Sequence, residues 1–340
     1  MATSVHDGTF FTQNSNDNWG LARVFSRDNP WTVPRMWSLE NQPNTVTFNT
    51  FTNVGSGVDV YVLDSGINPD HPEWTGVDSR CIVRSLGLSH GDDAARSHGG
   101  NVASVIGGPK YGVAPGVRII SIKVTNNSGF GTSNQVAAGL MEVRSHYSVN
   151  SNPALINMSL ENYTATGSLT QALINAVAGD GIAMFAAAGN RYEDINSLSA
   201  TNPYPAAFDN VFVVGATGIT DQIMHNPPDS AGNILVRPNF GSNYGPQVDI
   251  FAPGACVVGA SYLTDNNSLS TKFSGTSQAC PHVAGVAALM LGKTGELSGL
   301  ADVTSLYNMI KDAATVNRVR IAVASTTSKM VYAASAYISV

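Results

Sequence analysis

Asp64, His98 and Ser277 are three side chains that could together make a strong nucleophile, and they occur in that order along the 340-residue chain. A serine hydroxyl attacks a carbonyl only when a base takes its proton. Imidazole is the usual base near neutral pH, and a carboxylate behind it fixes which nitrogen is protonated. Asp64 directly follows the apolar run Val58-Asp59-Val60-Tyr61-Val62-Leu63, so it ends a strand, where it would serve equally well as a turn former. His98 opens the small-residue stretch His98-Gly99-Gly100-Asn101-Val102-Ala103-Ser104; alone, it reads as a structural histidine. Ser277 sits between Gly275-Thr276 and the apolar segment Gln278 to Leu289. That is a helix start, at the positive end of the dipole, and suits either a plain N-cap or an exposed nucleophile. Asn190 closes Ala186-Ala187-Ala188-Gly189-Asn190, as an ordinary turn residue or as a donor aimed at developing negative charge.

The elements that must carry these residues follow from periodicity. Gly57 to Leu63, Arg118 to Val124, Ala154 to Met158, Gly181 to Ala187 and Val211 to Val214 are short runs rich in Val, Ile and Phe with Gly or Pro at their ends, the pattern of strands buried on both faces. Asn134 to Tyr147 and Ser168 to Gly179 repeat apolar residues at three and four spacings, as helices do. The alternation predicts an α/β fold, a doubly wound, mostly parallel sheet with helices on both faces. Its active site then belongs at the carboxyl edge of the strands. Residues 1–18 read as an extended arm, 19–340 as one domain, and Asp221 to Pro238 as a surface loop.

Composition narrows the function classes. The chain is 43% apolar and 12% charged, a globular balance. It carries 18 basic and 24 acidic residues, a net charge of −6, with no basic run, which argues against a nucleic-acid partner. The longest apolar segment, Val283 to Leu291, is too short to span a bilayer, so no membrane partner is expected, and nothing near Met1 resembles a secretory leader. Sequons at Asn126, Asn162 and Asn266 suit an extracellular life or are plain polar loops. Cys81, Cys256 and Cys280 are three cysteines, too scattered for a disulfide framework or a metal cluster; a Cys81–Cys256 bridge and a buried reduced thiol both remain open.

Taken together, the three boxes and their order resemble the subtilase family of serine peptidases, in its proteinase K-type branch. Trp19-Gly20-Leu21-Ala22-Arg23 is similar to the start of mature members, Tyr111-Gly112-Val113-Ala114-Pro115 to the stretch after the histidine helix, and Ser328-Lys329-Met330-Val331-Tyr332 to the closing strand. The resemblance implies a serine endopeptidase with Ser277 as nucleophile, His98 as general base, Asp64 as its orienting carboxylate and Asn190 as oxyanion donor. It implies broad specificity for polypeptides held between two extended segments, Ser128-Gly129-Phe130 and Ser159-Leu160-Glu161. It also implies a secreted monomer made with an inhibitory propeptide, no catalytic cofactor, and a structural Ca²⁺ held by backbone carbonyls of Asp209 and Val211 with the Asp249 carboxylate; Asp249 reads almost as well as a strand-end carboxylate.

Departures from the family pattern mark where the expectation is open. The histidine box commonly reads His-Gly-Thr-His and here reads His98-Gly99-Gly100-Asn101; Ser-Leu is commonly followed by Gly-Gly and here by Glu161-Asn162. By the same resemblance, Glu161 would project toward the first specificity pocket, and Arg191 would fall beside its floor. Either Arg191 favours an acidic or polar P1 residue, or it pairs with Glu161 and the two cancel. The cysteines of fungal relatives are replaced by Asp59 and Phe212, so stability must come from elsewhere. These departures also keep a second reading open, a catalytically relaxed binding protein on the same fold.

Overall fold

In a computed structural model of the chain, the structure describes residues 10–14, 18–29, 47–51, 54–74, 81–84, 98–126, 129–150, 152–161, 169–195, 203–227, 239–261, 270–295, 297–321 and 326–333. Ser128 and Asn162 lie outside them, as do the sequon at Asn266 and part of the 221–238 loop.

The central strands are β-branched and buried on both faces, and they form one parallel sheet. In chain order the elements are β1 (Phe10–Asn14), α1 (Trp19–Val24), β2 (Thr47–Phe51), β3 (Asp59–Asp64), β4 (Cys81–Arg84), α2 (His98–Gly107), β5 (Arg118–Lys123), α3 (Ser133–Asn150), β6 (Ala154–Met158), α4 (Gln171–Gly179), β7 (Ala183–Ala187), β8 (Phe212–Thr217), β9 (Ile250–Pro253), β10 (Val257–Ala260), β11 (Ser270–Phe273), α5 (Thr276–Thr294) and α6 (Leu300–Ala313). Seven strands form the sheet in the order β4-β5-β3-β6-β7-β8-β9, all parallel. The arm strand β1 pairs antiparallel with β2, and β10 with β11.

Alternation along β3 divides the core. Val60 and Val62 pack with α1, α2, α5 and α6, whereas Tyr61 and Leu63 pack with α3 and α4 on the other face. The chain runs outward from β3 to β4 and β5 and then crosses to β6 on the other side of β3. That reversal opens a crevice at the carboxyl ends of β3 and β6.

Several boundaries differ from the sequence reading for local reasons. β3 begins at Asp59 because Gly57 adopts φ 84° in a turn, a conformation glycine takes at little cost. α4 begins at Gln171, where the Thr170 side chain caps the helix by accepting from Leu173 N at 3.3 Å. The expected surface loop is not all surface. Asp221 is 4% exposed and Met224 is fully buried; Asp221 holds the buried Arg23 of α1 at 2.8 Å and 3.2 Å, a pairing that desolvated charges require. Residues 329–331 pair with Phe251 through Phe251 N→Lys329 O at 3.0 Å and Val331 N→Phe251 O at 2.9 Å, a single bridge rather than a full closing strand.

Candidate active site

Asp64 ends β3, and the first turn of α2 is fastened against it. Ser65 N donates to Asp64 Oδ1 at 2.7 Å, and Ser65 Oγ accepts from Gly99 N at 2.9 Å. A methyl group on Gly99 would collide with the Gly66 carbonyl, which explains why the residue after His98 carries no side chain. Lys123, buried at the end of β5, donates its ammonium to Ser65 O. Lys123 and Ser65 were not singled out from sequence; the one signal was a lysine inside an otherwise apolar strand.

His98 Nδ1 lies 2.7 Å from Asp64 Oδ1. With a carboxylate as acceptor, Nδ1 carries the hydrogen and Nε2 is the basic nitrogen. Asp64 is 3% exposed and its Oδ2 has no hydrogen-bond partner among the described residues, so its charge is spent on His98 and the Ser65 amide. Phe273 stands edge-on to the imidazole at 6.3 Å between ring centroids.

Ser277 is in the first turn of α5, which packs against α2; Gln278 Nε2 reaches Asn101 Oδ1 at 3.5 Å. Departure of the histidine box at Asn101 thus places a fully buried amide between the two helices. Pro281 lies one turn after Ser277, and having no N–H it orphans the Ser277 carbonyl. Ser159 Oγ supplies the missing donor at 2.8 Å, while Ser277 Oγ itself donates to Ser159 O at 3.1 Å. Asn157 Nδ2 in turn holds Ser159 Oγ at 2.9 Å. The turn that carries Ser277 is therefore positioned by the residue just beyond β6.

Asn190 follows β7 after Gly189, whose φ is 98°. Its Oδ1 accepts from Thr276 N at 2.8 Å and Thr276 Oγ1 at 3.2 Å. A backbone N–H can only donate, so the oxygen end faces α5 and the NH₂ end is left for another acceptor. Thr276 also holds Gly189 N through Oγ1 at 3.1 Å.

The remaining expected residues scatter along the same edge. Glu161 is exposed, and its Oε2 accepts from Asn190 N at 3.0 Å, joining the segments that follow β6 and β7. Arg191 is exposed, with its backbone N on Asn243 Oδ1 at 3.0 Å. Phe130 is 71% exposed beyond β5, and Gly129 N donates to Asn126 O at 2.9 Å. Leu160 packs against the α3–α4 face.

Two groups near Ser277 are not reactive. Cys280 is fully buried and burial pushes its thiol up, so it stays protonated and beyond thiol reagents. His282 is fully buried, bonded through Nδ1 to Gln278 O at 2.8 Å and pushed down to about 4 by burial, a neutral core histidine. Cys256 is a reduced thiol whose sulfur accepts from Ser274 Oγ at 3.8 Å.

The expected calcium residues lie at the opposite edge of the sheet, the amino ends of β8 and β9, and the Asp249 carboxylate and the Asp209 carbonyl are engaged. Asp249 Oδ1 meets Lys311 Nζ at 3.2 Å and Oδ2 accepts from Val213 N at 2.9 Å, while Asp209 O accepts from Gln171 Nε2 at 3.0 Å. An ammonium on the carboxylate does not fit a divalent cation at the same oxygen.

Comparison with known proteins agrees with this geometry. The Subtilase family profile matches residues 55–329. A cuticle-degrading serine protease of Arthrobotrys oligospora is 29% identical over 95% of this chain and 70% of its own length. An extracellular serine proteinase of a Thermus species is 35% identical over 89% of this chain and 65% of its own length. Subtilisin-like protease 1 of Arthroderma gypseum is 32% identical over 84% of the chain, which spans only 51% of that protein. The solved structure of a cold adapted subtilisin-like serine proteinase superposes with a TM-score of 0.72 at 31% identity, covering 94% of this chain and 99% of that one. Fold, chain order and family match converge: this chain belongs to the subtilase family.

Proposed function

We propose that the chain is a serine endopeptidase that cleaves polypeptides through an acyl-enzyme on Ser277. His98 takes the serine proton and returns it to the leaving amine. Asp64 holds the imidazole tautomer and stabilises the imidazolium, and Asn190 with the Ser277 backbone N–H receives the oxyanion. The observation that carries the reading is the 2.7 Å contact of His98 Nδ1 with Asp64 Oδ1, on the sheet edge shared with Ser277 and Asn190. Subtilase chemistry runs on side chains and backbone amides and needs no catalytic cofactor.

Around that centre we read one peptidase domain from residue 19, preceded by the 1–18 arm and acting as a monomer on extracellular polypeptides. A relative named extracellular supports the location, and a propeptide acting as chaperone and inhibitor is part of the same reading. The test is labelling with a fluorophosphonate followed by peptide mapping. The reading expects modification at Ser277, lost in Ser277→Ala; a folded protein that stays unlabelled contradicts it and would fit a binding role instead.

Specificity follows from the charges beside the cleft. Glu161 accepts from Asn190 N–H at 3.0 Å beside the exposed Arg191; either Arg191 favours acidic or polar P1 residues, or it pairs with Glu161 and the two charges cancel. In the first case a peptide library should show P1 Glu cleaved faster than P1 Lys, and equal rates refute this preference while leaving the peptidase reading intact.

A further inference from the structure

The amino edge of β8 and β9 is organised by proton donors from two helices that no motif tied to it. Gln171, the first residue of α4, brackets Asp209 with both ends of its amide: Oε1 accepts from Asp209 N at 2.9 Å, and Nε2 donates to Asp209 O at 3.0 Å. Asn175, one turn later, accepts from Asn210 Nδ2 at 2.9 Å, holding a residue whose φ of 64° is left-handed. From the other face, the Tyr307 hydroxyl of α6 accepts from Met184 N at 2.8 Å and shares its one hydrogen between Met184 O at 2.9 Å and Asn210 O at 3.2 Å. Lys311 lies one helical turn beyond Tyr307 and so shares its face. It meets Asp249 Oδ1 at 3.2 Å, and its ammonium stands 5.7 Å from the centre of the Phe212 ring. Lys329 Nζ closes the end of α6 on Lys311 O at 3.0 Å.

We infer that the Lys311 ammonium occupies the electrostatic role of a metal ion at this edge, so that the 209–211 loop and Asp249 are held by a cation belonging to the chain itself. Asp249 is half-buried, with a side-chain exposure of 24%, and a carboxylate in that setting needs an opposite charge. The bond to Val213 N–H satisfies one oxygen, and the lysine supplies the charge at the other. A calcium ion bound to the same oxygen would stand against the Lys311 ammonium, which meets Asp249 Oδ1 at 3.2 Å. Gln171 similarly takes the Asp209 carbonyl that a metal would otherwise gather. A side-chain cation stays at full occupancy whatever the free calcium concentration, so stability here does not depend on calcium.

The experiment compares thermal midpoints, read by circular dichroism after stripping with EDTA and then with millimolar CaCl₂, for the wild type, Asp249→Asn and Lys311→Met. The calcium-induced shift should be the same in the wild type and Asp249→Asn, since any ion bound elsewhere acts on both. Lys311→Met should melt lower without calcium and gain a calcium-dependent rise of several degrees that the wild type lacks, because binding to the folded state alone raises the midpoint. A larger calcium shift in the wild type than in Asp249→Asn overturns the inference, and so does Lys311→Met without any added response. If either variant fails to fold, wild-type crystals grown in calcium decide the matter: anomalous density between Asp249 and the carbonyls of Asp209 and Val211 overturns the inference, and its absence there supports it. None of these readouts depends on peptidase activity.

Discussion

The two edges of one parallel sheet carry opposite kinds of construction. At the carboxyl edge, Asp64, Ser159 and Asn190 each stand at or just past the end of a strand, and their partners lie in the first turns of α2 and α5. Polar groups there are left partly unmatched, as with the buried Asp64 Oδ2, a cost accepted where charge must move during reaction. At the amino edge, Asp249, Asp209 and Asn210 are matched by Lys311, Gln171 and Tyr307. One edge keeps reactive groups poised, whereas the other pairs these polar groups with donors from its helices. Rate and stability should therefore separate cleanly between them.

Ser277→Ala should produce the largest effect, a fall in kcat of about six orders of magnitude, the scale already known for the triad serine of subtilisin itself. The unfolding midpoint should barely move. Asn190→Ala should lower kcat by about 10²- to 10³-fold with little change in KM, again the scale known for the oxyanion donor of subtilisin. Either variant losing much stability would break the contrast. Across the sheet, Tyr307→Phe should cost about 1–3 kcal/mol in denaturant unfolding, because it strips three backbone groups of a buried partner, while leaving kcat/KM unchanged.

Glu73 sharpens the comparison further. It lies beside the end of α2, its Oε1 accepts from Lys110 N at 2.9 Å and Tyr111 N at 3.3 Å, and burial, opposed by those bonds, pushes it from 4.5 up to about 7. Between those values the folded chain binds more protons than the unfolded one, so stability should fall as pH rises through that window. Glu73→Gln keeps the acceptor and should flatten this slope, seen by comparing chemical unfolding at the two ends of the window.

How much of this was legible in the sequence also differs between the edges. The sheet, its parallel sense and the placement of Asp64, His98, Ser277 and Asn190 on its elements could be read because each depends on a short local pattern: a strand ending in Asp64, a glycine after His98, a helix opening at Ser277, a turn at Gly189. The amino edge was less legible because the expected ligands there are backbone carbonyls, which any residue type supplies, and because Lys311, which meets Asp249, comes from α6, which carried no motif. Asp59 and Phe212 follow the same rule. Asp59 forms a bidentate pair with Arg118 at 2.7 Å and 2.5 Å, and Phe212 joins Phe185 and Tyr307 with centroids 5.5 Å and 5.1 Å away. Both partners lie far along the chain, beyond the reach of periodicity. The buried Asp221 was lost for the same reason, since its partner Arg23 sits at the other end of the sequence.

The central claim is that Asp64, His98 and Ser277 act as one unit at the carboxyl edge, and single-turnover kinetics of the three alanine variants, alone and combined, test it most directly. The account predicts that the triple variant is about as slow as Ser277→Ala alone, because removing one member disables the others. Losses that multiply from variant to variant, or a Ser277→Ala protein that still cleaves peptides near the wild-type rate, would contradict it.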